Sequence, residues 1–419
     1  MAKNLATEMA PPFILVAHYF IAGAIFYTIT SFLLPFYAGD LSTFFLSTAI
    51  ASLMHLFLLG FIMMIIFGAM YQLIPVVLEI PIFSKDFAYI QFYLFVIGVV
   101  IFSFALGKGF MNLLPYGAMM MYIAILIFIV NVFLTYKNIE TWSITAKFIL
   151  VSNIFLLIGV SIGFFIALDL VYGFDAHIIP LVTLHISSVI VGYILMTIMG
   201  IGMILLPMFS LSHGFSEKVI NIAFYTVILG LLLFISSIFI KIDILKYAGV
   251  GFIGFSIILA LYQMWLIFTS RIRKQNDFWA KNMIASFVSL ILSLVILIFA
   301  IVFSSQVLYI LFGFMLFFGF FVFFIVGHIY KILPFLVWYQ RYSPLVGKIK
   351  VPMLNEMVKE KVADVQFWIT AVGVVACSIA IGFKINILFV AGAVLMAVAT
   401  LLVIYNIYYT LVYGLDKLR

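Results

Sequence analysis

Twelve stretches of this chain are predominantly apolar over about twenty residues or more, and no water-soluble fold can bury that many. They lie near 12–37, 43–78, 87–107, 110–135, 145–169, 177–210, 218–240, 246–270, 279–304, 306–338, 364–384 and 386–413. A backbone crossing hydrocarbon must satisfy its own polar groups, so runs of this length are read as helices. The expected fold is all-α, a polytopic membrane protein of twelve transmembrane helices. Spans 2, 6 and 10 are the longest and are expected to tilt or to run on into the interface.

Composition sharpens this reading. The chain of 419 residues is 67% hydrophobic and 8% charged, where a soluble domain is about half apolar and a quarter charged. A soluble globule, a disordered chain and a disulfide scaffold are excluded. The net charge of +7 is spread over loops and forms no basic patch that could follow a phosphate backbone, so no nucleic-acid partner is expected. Cys377 is the sole cysteine, which leaves no intrachain disulfide and no thiolate metal cage. The first span is too long for a signal-peptide core, and no small-residue cleavage site follows it.

Lysine and arginine set the expected orientation. The termini and the loops after even spans carry Lys3, Lys85, Lys137, Lys147, Lys218, Arg271, Arg273, Lys274, Lys281, Lys331, Arg341, Lys348, Lys350, Lys359, Lys361, Lys417 and Arg419. The loops after odd spans carry only Lys108, Lys241, Lys246 and Lys384. Seventeen against four places both termini in the cytoplasm of a multi-pass plasma (cytoplasmic) membrane protein. The longest loop, about 339–363, falls on that side. Its start, Trp338-Tyr339-Gln340-Arg341-Tyr342, reads as an interfacial aromatic and basic anchor.

A repeat organises the spans. Gly60, Gly68 and Pro75 are spaced by eight and seven, and so are Gly192, Gly200 and Pro207, and Gly319, Gly327 and Pro334. The copies are offset by 132 and 127 residues, four spans each. A single transmembrane domain of three four-helix arcs, about 1–140, 141–275 and 276–419, arranged with pseudo-threefold symmetry, is expected. Small residues let helices approach closely. Gly60 and Gly192 are also candidates for opening slots to a flat cofactor.

Ionisable residues inside spans are costly and point to function. Asp40, Glu79, Asp169, Asp175 and Asp243 all sit near span ends, which argues against a proton relay built on membrane carboxylates. Histidines are different: His18 is in span 1, His55 in span 2, His177 and His185 in span 6 and His328 in span 10, with His213 in a loop. Neutral imidazole suits haem iron in an apolar slot. In the repeat frame His55 and His185 are two positions apart, an axial offset of about 3 Å. His328 lies about fourteen positions, or 21 Å, deeper. Two layers follow, His55 with His185 in the outer half and His18 with His328 in the inner half.

The segments carrying these residues resemble the main subunit of haem–copper oxidases and nitric oxide reductases. They are closer still to a divergent group of bacterial proteins similar to that subunit, which lacks most copper-site ligands. The shared segments are His55-Leu56 leading into Gly60, then Gly68-Ala69-Met70-Tyr71-Gln72-Leu73-Ile74-Pro75. The second runs from His185 to Leu205-Leu206-Pro207-Met208-Phe209, and the third is Gly327-His328-Ile329-Tyr330-Lys331-Ile332-Leu333-Pro334-Phe335-Leu336-Val337-Trp338-Tyr339.

The resemblance implies that His55 holds a low-spin haem and that His185 stands where the family has a copper ligand. Departures remove the binuclear site. Span 7 has no histidine between Glu217 and Ile240, Leu311–Leu316 has none in span 10, and Val189 stands where one class of oxidases has a tyrosine. Copper is therefore not expected. What remains is one or two haem b groups, with His55, His185 and His328 as candidate iron ligands and His18 as a further cofactor contact. His55 and His185 face haem slots or serve as the two axial ligands of one haem, and Met315 is a weaker axial candidate.

The function implied is electron transfer or small-molecule redox chemistry on O2, NO or a quinone, an oxidoreductase if catalytic. A quinone or a cytochrome is the electron partner, and the lipid bilayer is the surroundings. The competing reading is a non-redox transporter, receptor or partner subunit of a respiratory complex on the same fold. A transporter would favour polar groups at mid-depth, and Asn131 and Asn153 are the amides picked out for that role. A partner subunit would dock through 339–363.

Overall fold

The structure, a computed structural model, describes residues 11–39, 47–174, 177–272, 274 and 276–414. Lys3, Asp40, Asp175, Arg273, Lys417 and Arg419 lie outside the described residues. Among the described residues there is no β-strand, only an isolated bridge between Ser212 and Arg271. Twelve helices among the described residues are long and apolar enough to span a membrane. They are α1 (Phe13–Tyr37), α2 (Thr48–Leu78), α3 (Lys85–Lys108), α4 (Met111–Tyr136), α5 (Ile144–Tyr172) and α6 (Ile178–Ser210). The remainder are α7 (Lys218–Ile240), α8 (Asp243–Thr269), α9 (Phe278–Phe303), α10 (Gln306–Arg341), α11 (Glu360–Phe383) and α12 (Asn386–Val412). This is a multi-pass helical membrane protein.

The helices begin and end for local reasons. The side chains of Ser47, Ser143 and Asp277 accept the backbone N–H three residues on, at 3.2, 3.1 and 3.0 Å, and so cap α2, α5 and α9. Gly109, Lys241 and Lys384 stop α3, α7 and α11 in the left-handed region, with φ of 75°, 57° and 56°. A left-handed residue after the last turn satisfies the orphan carbonyls there.

The chain's contacts divide it into two compact units. One holds residues 70–105 and 110–275, which is the end of α2, most of α3, and α4 to α8. The other holds residues 12–69, 106–109 and 276–419, which is α1, most of α2, and α9 to α12.

α2, α6 and α10 stand apart from the rest. They are 31, 33 and 36 residues long, and 72% to 78% of their apolar window is buried, against 22% to 56% in the other nine. Each is a composite of an α-helical start, a wider π-helical segment and an α-helical end. The π segments are Leu58–Met63, Ser187–Leu195 and Met315–Phe321. Each contains the first glycine of its repeat, Gly60, Gly192 or Gly319. Each helix then carries its proline inside the last α-helical part, at Pro75, Pro207 and Pro334.

The glycines are where the preceding helix lies closest. A Cβ added at Gly60 or Gly68 would meet Phe26 at 2.6 Å or Tyr19 at 2.7 Å, both on α1. At Gly192 or Gly200 it would meet Phe155 at 2.6 Å or Phe148 at 2.5 Å, both on α5. At Gly319 it would meet Ser289 at 2.9 Å, and at Gly327 Met283 at 2.8 Å and Asn282 at 2.9 Å, all on α9. The covering pairs Tyr19/Phe26, Phe148/Phe155 and Asn282/Ser289 are each seven residues apart, two helical turns.

A second repeated contact joins the last two helices of every copy. Gly98 and Gly117, Gly230 and Gly249, and Gly373 and Gly392 are each nineteen apart. These glycines let α3 meet α4, α7 meet α8 and α11 meet α12 at backbone distance. Fourteen residues after the second glycine stands an amide: Asn131, Gln263 and Asn406. Asn131 Oδ1 accepts the Ser84 N–H at 2.9 Å, and Asn406 Oδ1 accepts the Lys359 N–H at 3.0 Å. Each bond secures the residue just before the third helix of its copy.

The repeat locates the one long loop. Pro75 to Gly98 and Pro207 to Gly230 are both 23 residues, while Pro334 to Gly373 is 39, an insertion of 16. The inserted chain folds back on its own unit. Trp338 Nε1 donates to the Pro352 carbonyl at 2.9 Å, and the Tyr342 hydroxyl to that of Tyr413 at 3.1 Å. The aromatic and basic run is thus a strap holding the loop to the ends of α10 and α12.

Candidate functional site

Three of the sequence-selected histidines share one chemical arrangement. His55 Nδ1 lies 2.7 Å from the Ala51 carbonyl oxygen, His328 Nδ1 2.7 Å from that of Phe324, and His185 Nδ1 2.8 Å from that of Gly159. A carbonyl can only accept, so Nδ1 carries the proton in each neutral ring, and Nε2 keeps the lone pair. This is how proteins fix an imidazole that binds a metal through Nε2. One such residue sits on each of the three buried composite helices.

Their surroundings differ. His55 is half-buried on α2, three residues before the π segment. The opposite face of α2 meets an aromatic cluster: Phe57 stacks on Phe318 of α10 with centroids 4.7 Å apart, and Tyr27 of α1 stacks on Phe61 at 4.4 Å. The Phe57–Phe318 stack joins α2 to α10. The Met315 sulfur accepts a hydrogen bond from the Ser378 hydroxyl at 3.2 Å. His328 lies ten residues past Phe318, about 15 Å along the helix.

His185 is half-buried on α6, seated in a groove of α5. Gly159 supplies the carbonyl, and one turn on, a Cβ at Gly163 would meet the ring's Cε1 at 2.6 Å. The sequence made no use of this glycine pair, whose i, i+4 spacing on one helix face was the available signal. His328 is enclosed, 4% exposed, with the Phe324 ring 4.4 Å and the Trp279 ring 6.3 Å from its own. His18 is half-buried on α1, and His177 and His213 are exposed at the start of α6 and beyond its end.

The space in front of Gly60 and Gly192 is taken by Phe26 and Phe155, so the geometry there is that of helix packing. A shallow cavity between Ala38, Ile310, Ala380 and Lys384 touches none of the candidate histidines. Among the described residues no three His, Cys, Asp or Glu side chains gather as a polydentate metal centre.

The amide inventory from sequence was too short. Besides Asn131 and Asn153, Gln91, Gln263, Asn282, Gln366 and Asn406 are all buried within helices. Most serve the fold. The Tyr71 hydroxyl donates to Gln91 Oε1 at 2.5 Å and the Tyr330 hydroxyl to Gln366 Oε1 at 3.2 Å, cross-linking the second and third helices of the first and third copies. Asn153 donates to Ile149 within its own helix at 2.8 Å. No protein-family model matches the chain, and no curated protein matches it.

Proposed function

We propose that the chain is a membrane-embedded haem b protein built like the main subunit of haem–copper oxidases, working in electron transfer or in redox chemistry on a small molecule such as O2, NO or a quinone. The observation that carries this reading is the carbonyl-held imidazole on each buried composite helix. The donor chemistry fits haem: a neutral ring with Nδ1–H engaged presents Nε2 to iron, and π segments recur at functional positions in helices. His55 and His185 would each hold a haem, with Nε2 as the donor atom. His328 is a third candidate, already packed between aromatic rings. When bound, haem supplies one-electron transfer at a potential set by its axial ligands.

The chain's own residues do the rest. The Ala51 and Gly159 carbonyls fix the ring orientation and the tautomer. The aromatic cluster of Tyr27, Phe57, Phe61 and Phe318 packs the face of α2 opposite His55. The excess of Lys and Arg after even helices puts both termini in the cytoplasm. In this reading the three copies stand as arcs about a pseudo-threefold axis, and copper is not part of the protein.

The test is a pyridine haemochrome spectrum of detergent-purified protein made with ample haem. A b-type spectrum is expected, with haem lost or its spectrum shifted in His55→Ala and His185→Ala and unchanged in His213→Ala. Folded, colourless protein would overturn the proposal and leave a transporter, receptor or partner subunit. Stoichiometric copper by elemental analysis would contradict the assignment of span 7.

A further inference from the structure

We propose that the seam between α9 and α10 binds ordered water beside His328. Asn282 and Ser286 are one turn apart on α9, and both are 0% exposed. Asn282 Nδ2 donates to the Phe278 carbonyl at 2.8 Å, which leaves Oδ1 to accept from something else. Neither Asn282 Oδ1 nor Ser286 Oγ has a hydrogen-bond partner in the protein. Asn282 points at α10, its Cβ 2.9 Å from where a Cβ of Gly327 would be, and the next residue is His328. Trp279, one turn earlier on α9, stands edge-on to the His328 ring.

The other two copies show what is unusual here. Where α9 has Asn282 and Ser289, α1 has Tyr19 and Phe26, and α5 has Phe148 and Phe155. The place of Ser286 is taken in α5 by Ser152, whose hydroxyl donates to Ile149 at 2.9 Å and accepts from Thr197 at 3.1 Å. Thr197 lies five residues after Gly192, and the residue five after Gly319 is Phe324. The third copy has thus kept the serine and lost its partner.

The polar face does not stop there. It runs from Asn282 through Ser286 and Ser289 to Ser293, eleven residues or about 17 Å. Ahead of it Asp277, which caps α9, pairs with Lys331 at 2.8 Å, the two side chains 14% and 20% exposed. Lys331 lies one turn past His328 on α10.

The occupant follows from the two orphan groups. Oδ1 requires a donor, and a hydroxyl can both give and take. Water donating to Asn282 Oδ1 and accepting from the Ser286 hydroxyl satisfies both. An apolar occupant would leave both unmade inside hydrocarbon, which is costly. The inference does not depend on haem.

X-ray radiolytic labelling of the full-length protein, read by mass spectrometry, tests it, because bound water generates the label where it sits. Met283 is 0% exposed and touches Gly327; Met64 on α2 is equally buried and serves as the control. Met283 is expected to label several-fold faster than Met64 and to fall to the Met64 rate in Ser286→Ala. The same variant is expected to lower the unfolding midpoint by about 1–3 °C, as loss of a satisfied hydroxyl does. Met283 labelling no faster than Met64, or a midpoint that rises or stays level as removal of a bare orphan would give, overturns the proposal.

Discussion

The second and third copies fold one pattern with opposite polarity. In the third, Asn406, Tyr330 and Gln366 each hold a hydrogen bond: Asn406 Oδ1 accepts the Lys359 N–H at 3.0 Å, the Tyr330 hydroxyl donates to Gln366 Oε1 at 3.2 Å, and Gln366 Nε2 donates to the Thr370 hydroxyl at 2.9 Å. In the second, the equivalent positions are Gln263, Met203 and Ala223. Gln263 is 0% exposed, and neither end of its amide has a partner in the protein. The first helices differ the other way. α5 covers its glycines with phenylalanines, and α9 covers them with Asn282 and Ser289. Backbone geometry has been kept while the side chains that fill it have changed, so the glycines carry the fold and the polar groups are free to specialise.

The sharpest way to break this comparison is at the glycines. Gly192→Ala sets a methyl against Cβ and Cγ of Phe155, both at 2.6 Å, a ring in a buried seam. A loss of about 3 kcal/mol is expected, the upper end for overpacking. Gly319→Ala meets Ser289 at 2.9 Å and the flexible end of Met315 at 3.6 Å, where the helix-propensity gain of about 1 kcal/mol offsets much of the strain. Unfolding midpoints of the two variants should differ widely; equal losses would mean that α9 grips α10 as tightly as α5 grips α6.

Next comes the amide. Asn406→Leu strands the Lys359 N–H, a loss of about 2 kcal/mol by thermal or denaturant unfolding. Gln263→Leu is expected to act in the opposite direction, stabilising by about 1 kcal/mol, since it removes an amide that satisfies nothing. A loss in Gln263→Leu would show that this site too has a bound partner. The smallest effect is expected at the Lys281–Asp364 pair, 2.8 Å apart with side chains 32% and 43% exposed. Asp364→Asn should cost less than about 1 kcal/mol and should vanish in high salt.

Hydropathy alone carried most of the topology, because bilayer thickness sets helix length whatever the packing. Spans expected at 218–240 and 386–413 were found at Lys218–Ile240 and Asn386–Val412, and the largest shift, from 43 to Thr48, is at the start of α2. The Gly–Gly–Pro repeat was legible because its spacing is local to one helix. The Gly98/Gly117, Gly230/Gly249 and Gly373/Gly392 pairs were not, since nineteen residues pass through a turn and resemble no single-helix period. The histidines on α2, α6 and α10 could be chosen from sequence, but their carbonyl partners could not. Gly159 is 26 residues from His185, and only the α5–α6 packing brings them together. The π segments were equally hidden, because one surplus residue in a turn leaves no mark in hydropathy.

Those wide turns have a further effect. One extra residue per turn rotates everything beyond it by about 100° about the helix axis. His55 and His185 lie ahead of their wide turns, whereas His328 lies after its own. In α2 and α6 the imidazole end is therefore indexed separately from the glycine–proline end, like the two halves of a coupling joined by an adjustable collar. The collar sets where each ring aims, and the grip on the neighbouring helix can stay as it is.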